Sequence, residues 1–330
     1  MNFKSYKDLS SDIHNNIHQL QGAGYDLVVG IPRSGMIPAY MIALLLNIHC
    51  TDLNSFLNNA RIGKGRTRKS ASSLETAWDA RKVLLVDDSL KTGSSMQEAV
   101  EAVHEQTPHE VTCLAIYVEK LRQSCVDLSF EAVPGPRIYQ WNLFHQPVMR
   151  SACMELEGVL CQPPSGEALT DEGHYRDYLA EALPLVLPTY RIDCISTARP
   201  ERYRERTERW LERHGIEYVR LVMRDETDDD EHERFEQIAR HKARCYQASE
   251  ARLFIEKERP MATRIAALSG KPVLCLDDSE IHRPGMLSVA RNGKQHLVRM
   301  GIMKTQRRFF LALPDSAELT LRNAYRRLFR

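Results

Sequence analysis

The 330-residue sequence has no excess of either charge: 45 Lys and Arg stand against 44 Asp and Glu, a formal net charge of +1. No global field therefore recruits nucleic acid or an anionic membrane. Its eight cysteines (50, 113, 125, 153, 161, 194, 245 and 275) contain no Cys-x-x-Cys pair and no regular spacing. That argues against a disulfide framework or a zinc scaffold and for buried, reduced thiols in a cytoplasmic protein. Long apolar runs are also missing. The longest nearly apolar stretch, Met36–Ile48, has thirteen residues including a proline, too few to span a bilayer. The polar start MNFKSYKDLS lacks the apolar core of a signal peptide. The twelve histidines include no His-Glu-x-x-His, and His241 reads as structural or solvent-facing rather than as a ligand. Gly63–Lys69 is not a Walker A loop, because Arg68 stands where that loop needs glycine.

What is present is an ordinary globular composition, 43% apolar and 27% charged, at a length that suits two domains with separate cores. Apolar runs alternate with amphipathic ones, the pattern of parallel strands covered by helices. Strands are expected at Asp26–Ile31, Lys82–Val86 and Glu110–Val118, with helices at Pro38–Ile48 and Ser94–Glu105. Arg137–Leu143 is expected to close this unit, after the break at Pro134–Gly135–Pro136. A second alternation follows a boundary near Gln146–Ser151. It has strands at Cys153–Leu160, Arg191–Ser196, Glu217–Val222, Ala251–Glu256 and Lys271–Leu276. Its helices are expected at Glu172–Ala182, from Pro200 to His214 with Gly215 as cap, Glu233–Ala248 and Pro260–Leu268. The fold class is α/β, two consecutive open parallel-sheet domains, 1–148 and 149–280, with a basic extension at 281–330.

Two segments stand outside this scheme. Arg224–Glu236 is acidic and reads as a solvated loop or helix entrance, with a cation site as the alternative. Gly285–Arg330 carries ten basic and two acidic residues. It is a nucleic-acid contact in one reading, and a solvated helix face or a surface docking on the acidic loop in the other.

The richest stretch is Val83–Ser95, VLLVDDSLKTGSS. Four apolar residues make a strand, two carboxylates stand at its carboxyl end, and a Thr-Gly-Ser-Ser loop opens a helix. Ligands of open parallel sheets bind at such strand ends, and a loop at a helix N-terminus aims backbone N–H groups at a phosphate. Paired carboxylates repel phosphate but accept from vicinal hydroxyls one ribose ring away. The stretch resembles the 5-phosphoribosyl-1-pyrophosphate (PRPP) signature of type I phosphoribosyltransferases. The resemblance implies that Asp87 and Asp88 hold the ribose 2′- and 3′-hydroxyls and, with PRPP, Mg²⁺. It assigns the 5′-phosphate to Lys91, Thr92, Gly93, Ser94 and Ser95. Aspartates turned into the interior would contradict it.

Gly30–Ala39 (GIPRSGMIPA) is similar to the family's pyrophosphate loop, with Arg33, Ser34 and Gly35 in that role. The basic stretch Arg61–Leu74 resembles the family's flexible loop over PRPP, where Arg61, Lys64, Arg66, Arg68 and Lys69 would neutralise the leaving pyrophosphate. Ile138–His145 suggests the acceptor hood, with Trp141 either stacking on a flat acceptor or serving as core. The family's dimers imply a homodimer, and its chemistry a transfer without a protein nucleophile.

Met154–Cys161 (MELEGVLC) resembles the first motif of the haloacid dehalogenase-like superfamily with both acids changed to Glu, here Glu155 and Glu157. Thr197 in ISTARPE, Lys242 in HKARCY and Glu256 in LFIE follow at the other motif positions. The resemblance implies a phosphate site with Mg²⁺ on Glu155 and Glu256. Glu155, at the attacking position, and Glu157, at the general acid/base position, are each one methylene longer, a misplacement to which in-line attack is sensitive. Lys257 stands where a second metal acid is common, so the domain is a phosphatase or a non-catalytic binder. Three functions stay open: PRPP-dependent transfer to an unidentified acceptor with the second domain binding or dephosphorylating the product, a non-catalytic PRPP-sensing regulator, or a phosphatase with a vestigial transferase.

Overall fold

Apolar runs fold as buried strands and amphipathic runs as the helices that cover them, twice in succession. The computed structural model describes residues 1–63, 65, 73–121, 125–225 and 234–285. Lys64, Arg66, Arg68, Lys69, most of the acidic run (226–233) and the basic tail from 286 onward lie outside the described residues. The chain divides into Met1–Met149 with Pro188–Tyr190, and Arg150–Leu187 with Arg191–Arg330.

The first unit contains β1 (Asn2–Lys4), α1 (Tyr6–Asn16), β2 (Leu27–Gly30), α2 (Met36–Leu46), β3 (His49–Asp52) and α3 (Leu53–Leu57). These are followed by β4 (Val83–Ser89), α4 (Ser94–Gln106), β5 (Val111–Val118), β6 (Leu128–Ala132) and β7 (Arg137–Tyr139). Five strands pair in parallel in the order β3-β2-β4-β5-β6. Strand alternation divides them between two cores. Leu27, Val29, Val83 and Leu85 pack with Phe56 and Met96 on one face. Val28, Leu84 and Val86 pack with Leu9, Ile13 and Ile42 on the other.

Two elements differ from expectation here. The closing segment expected at Arg137–Leu143 is a three-residue strand, Arg137–Tyr139, paired in parallel with β1, followed by a 3-10 segment, Gln140–His145. The helix α1 had no counterpart in the apolar pattern. Its start is fixed by a capping box in which Ser5 and Asp8 satisfy each other's backbone N–H.

The second unit contains β8 (Ala152–Met154), α5 (Glu172–Glu181), β9 (Ile192–Pro200), α6 (Arg204–Arg213), β10 (Tyr218–Arg224) and α7 (Arg234–Gln247). Then come β11 (Leu253–Glu256), α8 (Arg259–Ser269), β12 (Val273–Cys275) and β13 (Glu280–His282). The sheet order is β10-β9-β8-β11-β12-β13, parallel throughout except for the β12-β13 pair.

Three corrections follow. The strand expected over Cys153–Leu160 ends at Met154, where the chain turns and Leu156 O accepts from the N–H groups of Leu160 and Cys161. Pro200 is the last residue of β9, paired with Arg224, and stands just before rather than inside the next helix, as the N-cap of the 3-10 turn Glu201–Tyr203 that leads into α6. A sixth strand, β13, runs to His282, so a boundary at 280 cuts through it. All eight cysteines are unbridged. No described helix is long and apolar enough to cross a membrane.

Candidate functional site

In the first unit the chain leaves β2 for β3 on one side and returns past it to β4 on the other. That reversal opens a crevice at the carboxyl ends of β2 and β4, where open α/β sheets bind ligands. The end of β2 runs into the turn carrying Arg33, Ser34 and Gly35, and the end of β4 carries Asp87 and Asp88. Gly35 shows how closely these loops meet. A Cβ there would lie 2.6 Å from Ile31 O, 2.8 Å from Val86 O and 3.0 Å from Asp87 Oδ1. Arg33 is exposed and Ser34 half-buried at this turn.

Beyond β4, Lys91, Thr92, Ser94 and Ser95 are exposed around the buried Gly93. Gly93 has φ of 89° and backs onto Cys125, whose Sγ would be 2.8 Å from an added Cβ. Both conditions require glycine. The Thr92 and Ser94 hydroxyls lie 3.1 Å apart at the N-terminus of α4. This is a set of hydroxyls and backbone N–H groups around one helix end, suited to a phosphate.

The open aspartate pair expected from the sequence is corrected: both are buried, 7% and 3% exposed. Asp88 is covered by Trp141, while Asp87 Oδ1 still faces the Gly35 turn, 3.0 Å from where a Cβ there would lie. Asp87 Oδ1 accepts from the backbone N–H of Asp88 at 2.8 Å. Asp88 Oδ2 accepts from the indole N–H of Trp141 at 2.7 Å. Burial first, and then the Asp88 charge, push Asp87 up to about 8. Two enclosed like charges call for counter-charge or donated protons, and that donor set fits a hard divalent cation or a pair of sugar hydroxyls. Trp141 stacks on Tyr139, with centroids 4.9 Å apart, and on Tyr117 at 6.2 Å. It works as an inner wall holding Asp88. Of the basic loop residues, Arg61 alone is described; it is exposed and bridges antiparallel to Thr76.

Residues 3–150 match the family model of the phosphoribosyl transferase domain. This domain is similar to the crystal structure of purine phosphoribosyltransferase from Pyrococcus horikoshii Ot3, at 17% identity, 42% of this chain, 92% of that one and a TM-score of 0.32. It is also similar to the Helicobacter pylori xanthine-guanine-hypoxanthine phosphoribosyltransferase, at 13% identity, 43% of this chain, 92% of that one and a TM-score of 0.33. No curated protein matches the chain.

Beyond the residues that match the family model, the second unit repeats the topological device. Its order reverses between β8 and β11, and the carboxyl ends of those strands place Glu155 and Glu256 side by side. A cavity of about 1010 Å³ opens there, lined among others by Glu155, Glu157, Arg199, Lys242 and Glu256. Thr197 joins them through its hydroxyl, which donates to Glu157 Oε2 at 2.7 Å. All five residues singled out from the sequence of this unit therefore meet.

The structure adds one that sequence reasoning missed. Arg199, 1% exposed, pairs with Glu157. Its guanidinium also reaches Thr207 at 3.3 Å and the Tyr178 hydroxyl at 3.5 Å. Its signal was a charged residue inside an otherwise buried strand, where a partner is obligatory.

Electrostatics separate the two Glu residues. Burial pushes Glu155 well above the usual carboxylate range, with Lys242 opposing and Glu256 reinforcing the shift. Burial also acts on Glu157, but Arg199, with hydrogen bonds from Glu155 and Thr197, outweighs it and holds the carboxyl low. Lys242 is raised, because Glu155 and Glu256 together overcome its burial.

These residues do not fit Mg²⁺. Glu155 accepts from Leu156 N at 2.8 Å through Oε1 and pairs with Lys242 through Oε2. Glu256 accepts from Lys257 N at 2.9 Å through Oε1 and from Lys242 at 2.8 Å through Oε2. Every carboxylate oxygen there already has a proton donor.

Proposed function

We propose that the chain transfers a phosphoribosyl group from PRPP to an acceptor and releases pyrophosphate. The observation that carries this reading is the meeting of three elements at one crevice: the Arg33–Gly35 turn, the Asp87–Asp88 pair, and the hydroxyl-rich start of α4. The hydroxyls of Thr92, Ser94 and Ser95, with the first N–H groups of α4, take the 5′-phosphate. Asp87 and Asp88 accept hydrogen bonds from the ribose diol, Asp88 sharing its carboxylate with Trp141. Arg33 and the backbone beside Gly35 receive the pyrophosphate. When bound, Mg²⁺ held by Asp87 and Asp88 would neutralise charge on the leaving group. The C1′–oxygen bond to pyrophosphate breaks as the acceptor's lone pair forms the new bond at C1′, and the acceptor proton leaves to solvent. The side chains contribute position and charge.

The test is pyrophosphate release from PRPP and Mg²⁺ with pooled cell metabolites, followed by mass detection of the ribosylated product. Release that vanishes in Asp87→Asn/Asp88→Asn supports the reading; no release and no adduct counts against it. The enclosure of both acids favours a second reading, a PRPP-responsive binding protein, which predicts binding without pyrophosphate release.

The order of its motifs suggests a haloacid dehalogenase-like fold for the second unit. We read its cavity as a ligand chamber rather than a phosphatase site, on the strength of the committed carboxylate oxygens. Phosphate release from p-nitrophenyl phosphate with Mg²⁺, abolished by Glu155→Ala, would contradict this.

A further inference from the structure

Among the charged residues that line the second unit's cavity are the carboxylates Glu155, Glu157 and Glu256 and the buried cations Lys242 and Arg199. Arg199 serves Glu157 alone among them. Lys242, on α7, reaches between the ends of β8 and β11 and pairs with both Glu155 and Glu256. All three of these side chains are at most 5% exposed, so the lysine is a fixed part of the interior and not a mobile surface group.

A divalent ion such as Mg²⁺ needs near-octahedral oxygen ligands at about 2.1 Å. The facing oxygens of Glu155 and Glu256 are the natural first pair, and they are the two that Lys242 holds. Their other oxygens point to backbone donors, Leu156 N for Glu155, Lys257 N and Glu258 N for Glu256. A metal would have to expel a buried ammonium and leave it unpaired, which is strongly unfavourable.

We infer that Lys242 is the built-in cation of this cavity: its ammonium occupies the place between Glu155 and Glu256 that a divalent ion would take, and the cavity receives its ligand without a metal. The corollary is a latent metal site. Shortening Lys242 to alanine leaves two facing buried carboxylates with neither counter-charge nor filler, and a hard divalent cation satisfies both needs. Lys242→Met removes the charge but keeps the volume, so it leaves no room for an ion. The inference stands on the second unit's side chains and does not depend on the transferase reading.

The experiment counts bound Mn²⁺ per full-length chain from the loss of the free-ion paramagnetic resonance signal. It uses an Asp87→Asn/Asp88→Asn background that silences the first unit. The background is expected to bind no Mn²⁺ at submillimolar concentration. Adding Lys242→Ala is expected to create one site, with a rise in the unfolding temperature on Mn²⁺ addition, and Glu256→Gln on top to abolish it. Lys242→Met is expected to create none. One Mn²⁺ already bound by the background and lost with Glu256→Gln would overturn the inference. So would a folded Lys242→Ala chain, by circular dichroism, that binds none. If Lys242→Ala does not fold, the background titration decides by itself: Mn²⁺ that binds and is lost with Glu256→Gln refutes a resident lysine, and no Glu256-dependent binding supports it.

Discussion

The two units solve the same geometric problem and end with opposite electrostatics. In each, the strand order reverses beside a central strand, and acids gather where two adjacent strands end. In the first unit no cationic side chain among the described residues pairs with Asp87 or Asp88, and burial with the Asp88 charge pushes Asp87 up to about 8. In the second unit Lys242 and Arg199 are built into the floor and answer Glu155, Glu256 and Glu157 directly. The first arrangement waits for charge and donors from outside; the second is complete by itself. A crevice at a switch point thus says where a ligand binds, and the counter-ions decide what chemistry is open to it.

The sharpest way to break this comparison is to remove a built-in cation. Arg199→Ala leaves the part-buried Glu157 without its counter-charge, with the Thr197 hydroxyl still donating to it, and about 2–4 kcal/mol of stability is expected to be lost in denaturant unfolding. Arg33→Ala, at an exposed first-unit site, is expected to cost less than about 0.5 kcal/mol. Equal costs would show that the second site is not self-neutralised.

Next comes the acid pair. Asp87→Asn/Asp88→Asn is expected to reduce pyrophosphate release by about a hundredfold or more, roughly 2.7 kcal/mol of transition-state stabilisation. Glu155→Gln is expected to leave that rate unchanged, as both follow from assigning the reaction to the first unit. Gly35→Ala tests the closeness of the first crevice. Its methyl would meet Ile31 O at 2.6 Å and Val86 O at 2.8 Å, both backbone atoms. A destabilisation of about 1–3 kcal/mol is expected, with weakened PRPP binding measured alongside.

A pH slope tests the enclosure of the first unit's acids. Asp87 shifts from an ordinary value of 3.8 to about 8, so between those limits the folded chain holds a proton that the unfolded chain releases. Its contribution to stability is full below the lower value, declines as pH rises and is gone above the upper one. Unfolding measured across that range is expected to show a slope that Asp87→Asn flattens. PRPP with Mg²⁺ is expected to stabilise the chain more at the alkaline end, where the carboxylate is ionised.

Much of this was legible in the residues because the informative signals are local. VLLVDDSLKTGSS carries its strand, its acids and its helix start in one continuous stretch, and β4 and α4 fall on it. In the second unit, Glu155 follows β8 directly, Glu256 ends β11, Lys242 lies on α7 and Thr197 lies within β9, each inside a local pattern that the sequence displays. Features set by long-range pairing were not legible. β1 and β7 are three residues each and exist because Asn2–Lys4 finds Arg137–Tyr139. β13 (Glu-Ile-His) has no apolar run and is strand only through antiparallel pairing with β12. The enclosure of Asp88 depends on an indole fifty-three positions away, which no local pattern reports.

Titration calorimetry of the full-length chain with PRPP and Mg²⁺ measures directly whether the aspartate pair of the first unit holds PRPP. One PRPP per chain is expected, with binding lost in Asp87→Asn/Asp88→Asn and kept in Glu155→Gln. No heat from the unsubstituted chain, or the same affinity after the double aspartate substitution, would contradict that assignment.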